Sequence, residues 1–275
     1  MTDLFRLDDH VAVVTGAGGR LGPVWVRCLL EAGARVMAID RDGAPLSPAL
    51  QVLLEAQGER ATPVRLLLHR ADILDRHALT VAREACEALF GVASVLVNNA
   101  GIDQPPSVPG GGSHRMEDVP LDICRAILEV NTLGTFQVSQ VFGAAMVGAR
   151  RGSIINIGSL YASVSPDTRM YEHLNLEPPF LKPPAYGASK AAVVNLTRYF
   201  ATVWGPSGVR VNTLSPGGVE GGQDAEFQRK FTDRVPLRRM AVEGDLVGPL
   251  RFLASDASAY VTGTEIRVDG GFTAW

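Results

Sequence analysis

Short, almost wholly apolar runs take turns along the chain with longer stretches in which apolar residues return every three or four positions. The short runs His10–Thr15, Arg35–Ile39, Pro63–Leu68, Ala93–Val97, Gly152–Ile157, Val209–Leu214 and Glu265–Asp269 predict β-strands. Val24–Leu30, a looser Pro45–Gln57, Arg76–Phe90, Leu121–Met146, Tyr186–Trp204, Asp224–Phe231 and Asp245–Ala254 predict helices. Strand and helix alternate, and runs such as Ala93–Val97 fit strands buried on both faces of a parallel sheet, so an α/β fold is expected. Two stretches break the rhythm. Gln104–Ser113, with prolines and a triple glycine, reads as a flexible surface loop; Leu160–Ala185 is too proline-rich for one regular element. A long ordered excursion of that kind usually covers or lines a binding surface. Gly217–Gly222 is pliable, and together with the helix that follows it reads as a lid over about 217–235.

Composition narrows the field. With 275 residues, 46% hydrophobic and 20% charged, the chain is expected to form one α/β domain over 1–275. A formal net charge of −3 gives no basic field for a phosphate backbone, so nucleic acid is not an expected partner and a small molecule is. Cys28, Cys86 and Cys124 lie far apart without a C-x-x-C, which argues against zinc or a disulfide framework and suits the cytoplasm. No metal site is expected. The acidic N-terminus lacks an apolar run, and no segment approaches the roughly 18 apolar residues of a membrane span, so neither export nor a membrane is indicated.

The chemistry concentrates at the strand ends. After the first strand comes Gly16-Ala17-Gly18-Gly19-Arg20-Leu21-Gly22 and then a helix, an order suited to a pyrophosphate. Gly16 and Gly18 permit a tight turn and close approach, the helix start offers N–H donors, and Gly22 lets helix pack on strand. Asp40 ends the second strand near the spacing at which a carboxylate reaches the adenosine ribose hydroxyls and repels a 2′-phosphate, which favours NAD over NADP. Arg41, next to it, can pair with a phosphate and keeps NADP open. Ser159 follows the fifth strand, where ligands of parallel sheets bind. Tyr186 and Lys190 are four apart on a helix, so phenol and ammonium can share one pocket, and a nearby cation favours the phenolate. Asn131, amid helix-compatible sequence, is a poor helix former that needs a reason.

Taken together, Thr15-Gly16 to Gly22, Asn98-Asn99-Ala100-Gly101, Asn131, Ser159, Tyr186 with Lys190, Pro216-Gly217, and the C-terminal Tyr260–Gly263 and Val268–Gly271 resemble the short-chain dehydrogenase/reductase family in sequence order. The resemblance runs from Val11 to Gly271 and implies a single-domain Rossmann-type doubly wound parallel sheet of about seven strands. It implies hydride transfer between a secondary alcohol and a nicotinamide, with Tyr186 as acid/base, Ser159 on the substrate oxygen, Lys190 on Tyr186 and the nicotinamide ribose, and Asn131 holding a proton-relaying water. It places the cofactor against Gly16, Gly18, Arg20, Leu21, Gly22, Asp40, Arg41, Asp72, Ile73, Asn99, Ala100, Gly101, Tyr186, Lys190, Pro216, Gly217 and Val219. A homodimer or homotetramer is implied as well. Two features depart from the family: Arg20 stands where a glycine is usual, and Ser159 and Tyr186 lie about twice the usual distance apart, which makes residues 160–185 an insertion. Its Arg169, Tyr171, Glu172, His173 and Lys182 suggest a sugar, polyol or hydroxy acid substrate. An NADPH-dependent ketone reductase and a non-catalytic dinucleotide-binding scaffold are the alternatives.

Overall fold

Seven parallel strands, in the order β3-β2-β1-β4-β5-β6-β7, form the sheet of a computed structural model that describes residues 3–57, 64–104 and 114–275. The strands are β1 (Val11–Thr15), β2 (Arg35–Asp40), β3 (Leu66–Arg70), β4 (Val95–Asn98), β5 (Gly152–Ile157), β6 (Val209–Pro216) and β7 (Glu265–Val268). Their side chains alternate between two cores. Ala12, Val14, Val36, Ala38, Val95, Val97, Ile155 and Ile157 face one. Val11, Val13, Met37, Ile39, Leu96 and Ile154 face the other. This split is why the strands read as unbroken apolar runs.

The first core is closed by α1 (Gly22–Glu31), α2 (Pro48–Gln57) and α8 (Glu243–Ala254), which bring in Trp25, Leu50, Leu246, Leu250 and Leu253. Across the sheet α3 (Arg76–Leu89), α5 (Thr135–Ala149) and α6 (Pro184–Trp204) supply Leu79, Cys86, Phe142, Met146 and Phe200. Strand order reverses between β1 and β4, which opens a crevice at the carboxyl ends of the strands.

Three local outcomes differ from the sequence reading. The helix expected over Leu121–Met146 is α4 (Leu121–Leu128) and α5 joined by a π-helical turn, Glu129–Gly134. The wide turn carries Asn131 inward, 1% exposed, where its amide binds the backbone N–H and C=O of Ile102. Helix α6 begins at Pro184, so Tyr186 stands in its first turn. Residues 160–185 contain two 3-10 turns, Leu160–Ala162 and Thr168–Leu174. They pack Leu160, Met170, Tyr171 and Phe180 against Phe231 of α7 (Ala225–Asp233) and against Phe272. The loop expected at Gln104–Ser113 lies, from residue 105 on, outside the described residues, as does Pro63.

Candidate active site

The glycine turn closes the cleft at one end. Gly16 has φ +62, and a Cβ there would meet Ala100 Cα at 2.7 Å, so the position tolerates only glycine. Gly18 N–H donates to Asp40 Oδ2 at 2.8 Å, and Asp40 Oδ1 accepts from Arg41 N–H at 2.9 Å, tying the turn to the end of β2. No side chain caps α1 at Leu21; Pro23 has no N–H and Val24 N–H donates to the Leu21 carbonyl at 3.1 Å, so among the described residues the N–H groups of Leu21 and Gly22 are the ones left for an anionic ligand. Gly22 packs directly over the Gly16 and Ala17 carbonyls. Thr15, which the sequence marks as the start of the glycine turn without giving it a role, organises this corner: its Oγ1 accepts from the N–H groups of Asn99 and Ala100, each at 3.2 Å. Asn99 in turn donates to the carbonyls of Thr15 and Gly16 and accepts from Trp25 Nε1 at 2.7 Å.

The cleft has a volume of about 1310 Å³ and runs from Gly16, Arg20, Leu21, Asp40 and Arg41 past Asp72, Ile73, Asn99, Ala100 and Gly101 to Ser159, Tyr186, Lys190, Pro216, Gly217 and Val219. Gly18, Gly22 and Asn131 support it from behind and do not line it. Arg20 spans the opening: its guanidinium donates to the Val219 carbonyl at 2.9 Å and to that of Glu220. An uncapped helix start, a glycine turn without room for a side chain and a carboxylate at the second strand's end together fit a dinucleotide.

At the far end of the cleft, Ser159 leaves β5 and its Oγ accepts from Tyr161 N–H at 3.2 Å. Lys190 is buried, donates to the Ile157 carbonyl at 2.9 Å and lies 5.9 Å from the centre of the Tyr186 ring. Asn131 Nδ2 donates to Ser189 Oγ at 3.1 Å, which ties the π turn to α6 beside this pair. The electrostatics correct one expectation. Burial pushes the Tyr186 phenol up rather than down, the Asp103 carboxylate adds to the rise, and only the Ser159 hydroxyl pulls the other way. Burial brings the Lys190 ammonium down to about 8, with Asp103 opposing.

Residues 160–185 contribute differently from expectation. Arg169 is exposed and paired with Asp167, and His173 Nε2 lies 2.8 Å from Asp224 at the start of α7. Arg169, Glu172 and His173 stay off the cleft wall; Tyr171, Leu174, Leu176 and Lys182 form it. Tyr171 sits in an aromatic cluster, edge-on to Phe180 at 4.8 Å and tilted against Phe227 at 5.4 Å between ring centres. Burial pushes the Tyr161 phenol up to about 12 and raises that of Tyr171 further. Lys182 reaches over the Tyr186 ring, 4.8 Å from its centre, and pairs with Asp103 just beyond β4. Asp103 was not singled out from the sequence, although its place two residues after Asn99-Ala100-Gly101 lies just past a strand end.

A family model described as enoyl-(acyl carrier protein) reductase matches residues 21–273. Galactitol 2-dehydrogenase (L-tagatose-forming) of Cereibacter sphaeroides is 36% identical, over 99% of this chain and 98% of its own. The gluconate 5-dehydrogenase of Burkholderia cenocepacia, solved with NADP and tartrate, superposes with a TM-score of 0.82 at 30% identity, over 99% of this chain and 98% of its own. A short chain dehydrogenase of Leptospira borgpetersenii with bound NAD+ gives a TM-score of 0.82 at 29% identity, over 99% and 96%. The sheet order, the crevice and these likenesses agree: the chain belongs to the short-chain dehydrogenase/reductase family and is an oxidoreductase of CH–OH groups that interconverts secondary alcohol and ketone.

Proposed function

We propose that the chain uses NAD(H) to interconvert a sugar, polyol or hydroxy acid with the corresponding ketone. The observation that carries this reading is one cleft joining the Asp40-tethered glycine turn to Ser159, Tyr186 and Lys190. The dinucleotide, when bound, supplies the nicotinamide carbon that accepts or returns hydride. Gly16, Leu21 and the start of α1 hold its pyrophosphate, Asp40 its adenosine ribose, Asp72 and Ile73 its adenine, and Pro216, Gly217 and Val219 its nicotinamide end. Ser159 donates to the substrate oxygen and stabilises charge developing there. Tyr186 removes the hydroxyl proton in oxidation and returns it in reduction. Lys190 holds the nicotinamide ribose, and Asn131 positions a water that carries the proton onward. Residues 217–235 close as a lid over the bound ligands.

A second reading, an NADPH-dependent ketone reductase, draws on Arg20 and Arg41, both cations on the cleft wall. Initial rates with the two coenzymes over polyols, sugars and hydroxy acids separate the readings: NAD(H) is expected to exceed NADP(H), and the reverse order selects the second. In the same assay Tyr186→Phe is expected to lower kcat by roughly 10²- to 10⁴-fold while NADH still binds. A variant that keeps most of its turnover removes the proposed base.

The protein is further proposed to act in the cytoplasm as a homodimer or homotetramer. Exposed Leu121, Leu133, Tyr199 and Val203 on α4–α6 supply apolar surface for self-association, and a monomer by light scattering would count against it. No helix among the described residues is long and apolar enough to cross a membrane.

A further inference from the structure

The geometry points to Asp103 and Lys182 as a paired reader of substrate hydroxyls that makes a neutral polyol, rather than a hydroxy acid or a plain alcohol, the preferred substrate; this rests on the reaction proposed above.

Both residues line the cleft beside Tyr186 and Ser159. Lys182 immediately precedes Pro183-Pro184, where α6 starts, and Tyr186 stands in the first turn of that helix. The fixed φ of each proline limits how far the Lys182 backbone can move relative to the Tyr186 backbone. The Lys182 side chain is only 8% exposed, and its ammonium lies 4.8 Å from the centre of the Tyr186 ring and 5.5 Å from that of Tyr161. A cation so enclosed needs a counter-charge, and Asp103, itself 33% exposed, supplies it from the exit of β4.

The pair is close to neutral as a unit, yet it offers a ligand two opposite faces. Lys182 carries three N–H donors and no acceptor, whereas the Asp103 carboxylate only accepts. Among the described residues Asp103 spends one oxygen on Gln104 N–H, at 2.8 Å, and the other on Lys182, which leaves lone pairs on both. A hydroxyl both donates and accepts, so one hydroxyl, or two on adjacent carbons, satisfies the pair at once. Because both line the cleft beside Tyr186, the hydroxyls they read sit on carbons other than the one that reacts. They survive the reaction unchanged, so the pair serves alditol and ketose alike. A substrate carboxylate would compete with Asp103 for the same ammonium and meet like charge. A plain secondary alcohol would cover the pair and leave it without new partners.

The test uses the full chain with NAD and three probes: an alditol, cyclohexanol and a 2-hydroxy acid. Wild type is expected to favour the alditol. In Asp103→Asn and in Lys182→Met, the ratio of kcat/KM for alditol to that for cyclohexanol is expected to fall roughly 10- to 100-fold, mainly through KM. Asp103→Asn is also expected to gain on the hydroxy acid relative to the alditol. NADH binding by fluorescence establishes that each variant is folded; if Lys182→Met is not, Asp103→Asn alone decides. Equal losses on alditol and cyclohexanol would mean that the pair merely holds Tyr186, and kcat/KM unchanged for both would mean that it touches no substrate. Either result overturns the inference. Wild type that oxidises cyclohexanol but no alditol also overturns it while leaving secondary-alcohol chemistry intact. Wild type inert on every alcohol with both coenzymes defeats the reaction itself and the inference with it.

Discussion

Lys190 carries a positive charge into a place with almost no water, and that cost sets much of the behaviour of the site. Its folded pKa of about 8 lies below the ordinary 10.5, and burial is the cause. Below pH 8 the side chain is charged whether the chain is folded or not, so the penalty is fully present. Between 8 and 10.5 the unfolded chain binds more protons, so this group's contribution to stability improves as pH rises. Lys190→Met is therefore expected to be more stable than wild type at pH 7. The gain is roughly 2 kcal/mol, a buried-charge term of about 1.4 kcal/mol per pKa unit less about 1 for the bond to the Ile157 carbonyl. Urea unfolding at pH 7 and 10 checks it: the two curves should converge at the higher pH, and a variant less stable at pH 7 would overturn the account. The spacing of Tyr186 and Lys190 was legible in the sequence, because i and i+4 share a helix face. The direction of the Tyr186 shift was not, because it depends on enclosure by Tyr161 and on the charge of Asp103, both brought in by distant segments.

Between the elements, a buried polar ladder crosses the sheet beneath the cleft. Asn98 of β4 donates to Ser139 Oγ of α5 at 2.9 Å and to Asn156 Oδ1 of β5 at 2.8 Å. Asn156 donates to Thr197 Oγ1 of α6 at 2.8 Å, and Thr197 lies 2.8 Å from Thr213 Oγ1 of β6. Two helices and three strands are thereby held in one register, with Asn98 and Asn156 as direct strand partners. Asn156→Ala removes an acceptor and a donor from a fully buried site, so about 2–4 kcal/mol of stability should be lost in urea unfolding. A loss under about 0.5 kcal/mol would mean that the ladder is slack. The strands themselves were legible as apolar runs, and even the ends of α6 were close. The π turn was not. Asn131 sits there because the Ile102 backbone needs a partner, and nothing in the local sequence announces that need. Residues 160–185 read as an excursion in the sequence, but their polar residues misled: His173 and Arg169 face Asp224 and Asp167, whereas Tyr171, tilted against Phe227, lines the cleft.

The molecule divides its labour between the two edges of the sheet, with the cleft at the carboxyl ends of the strands and a histidine lock at the amino ends. His10 precedes β1, Ser94 precedes β4 and Arg151 precedes β5; His10 Nδ1 lies 3.1 Å from Ser94 Oγ and its Nε2 lies 2.8 Å from Arg151 Nη2. A guanidinium can only donate, so Nε2 must accept and the ring must be neutral, with its proton on Nδ1. Burial and then Arg151 push the His10 pKa below its usual 6.5, helped by Arg210 and opposed by Asp256 and Asp9. Because the folded chain holds this proton less tightly than the unfolded one, the lock's contribution is fully present above pH 6.5 and is lost as pH falls from there towards the folded value. Other carboxylates also weaken in acid, so the variant must isolate the histidine. His10→Gln keeps a polar side chain but removes the titration. It is expected to be less stable than wild type at pH 7.5 and to lose less on moving to pH 5. Urea midpoints at both values decide: parallel shifts in the two proteins would mean that the acid sensitivity lies elsewhere, whereas converging midpoints place it at the sheet edge farthest from the chemistry.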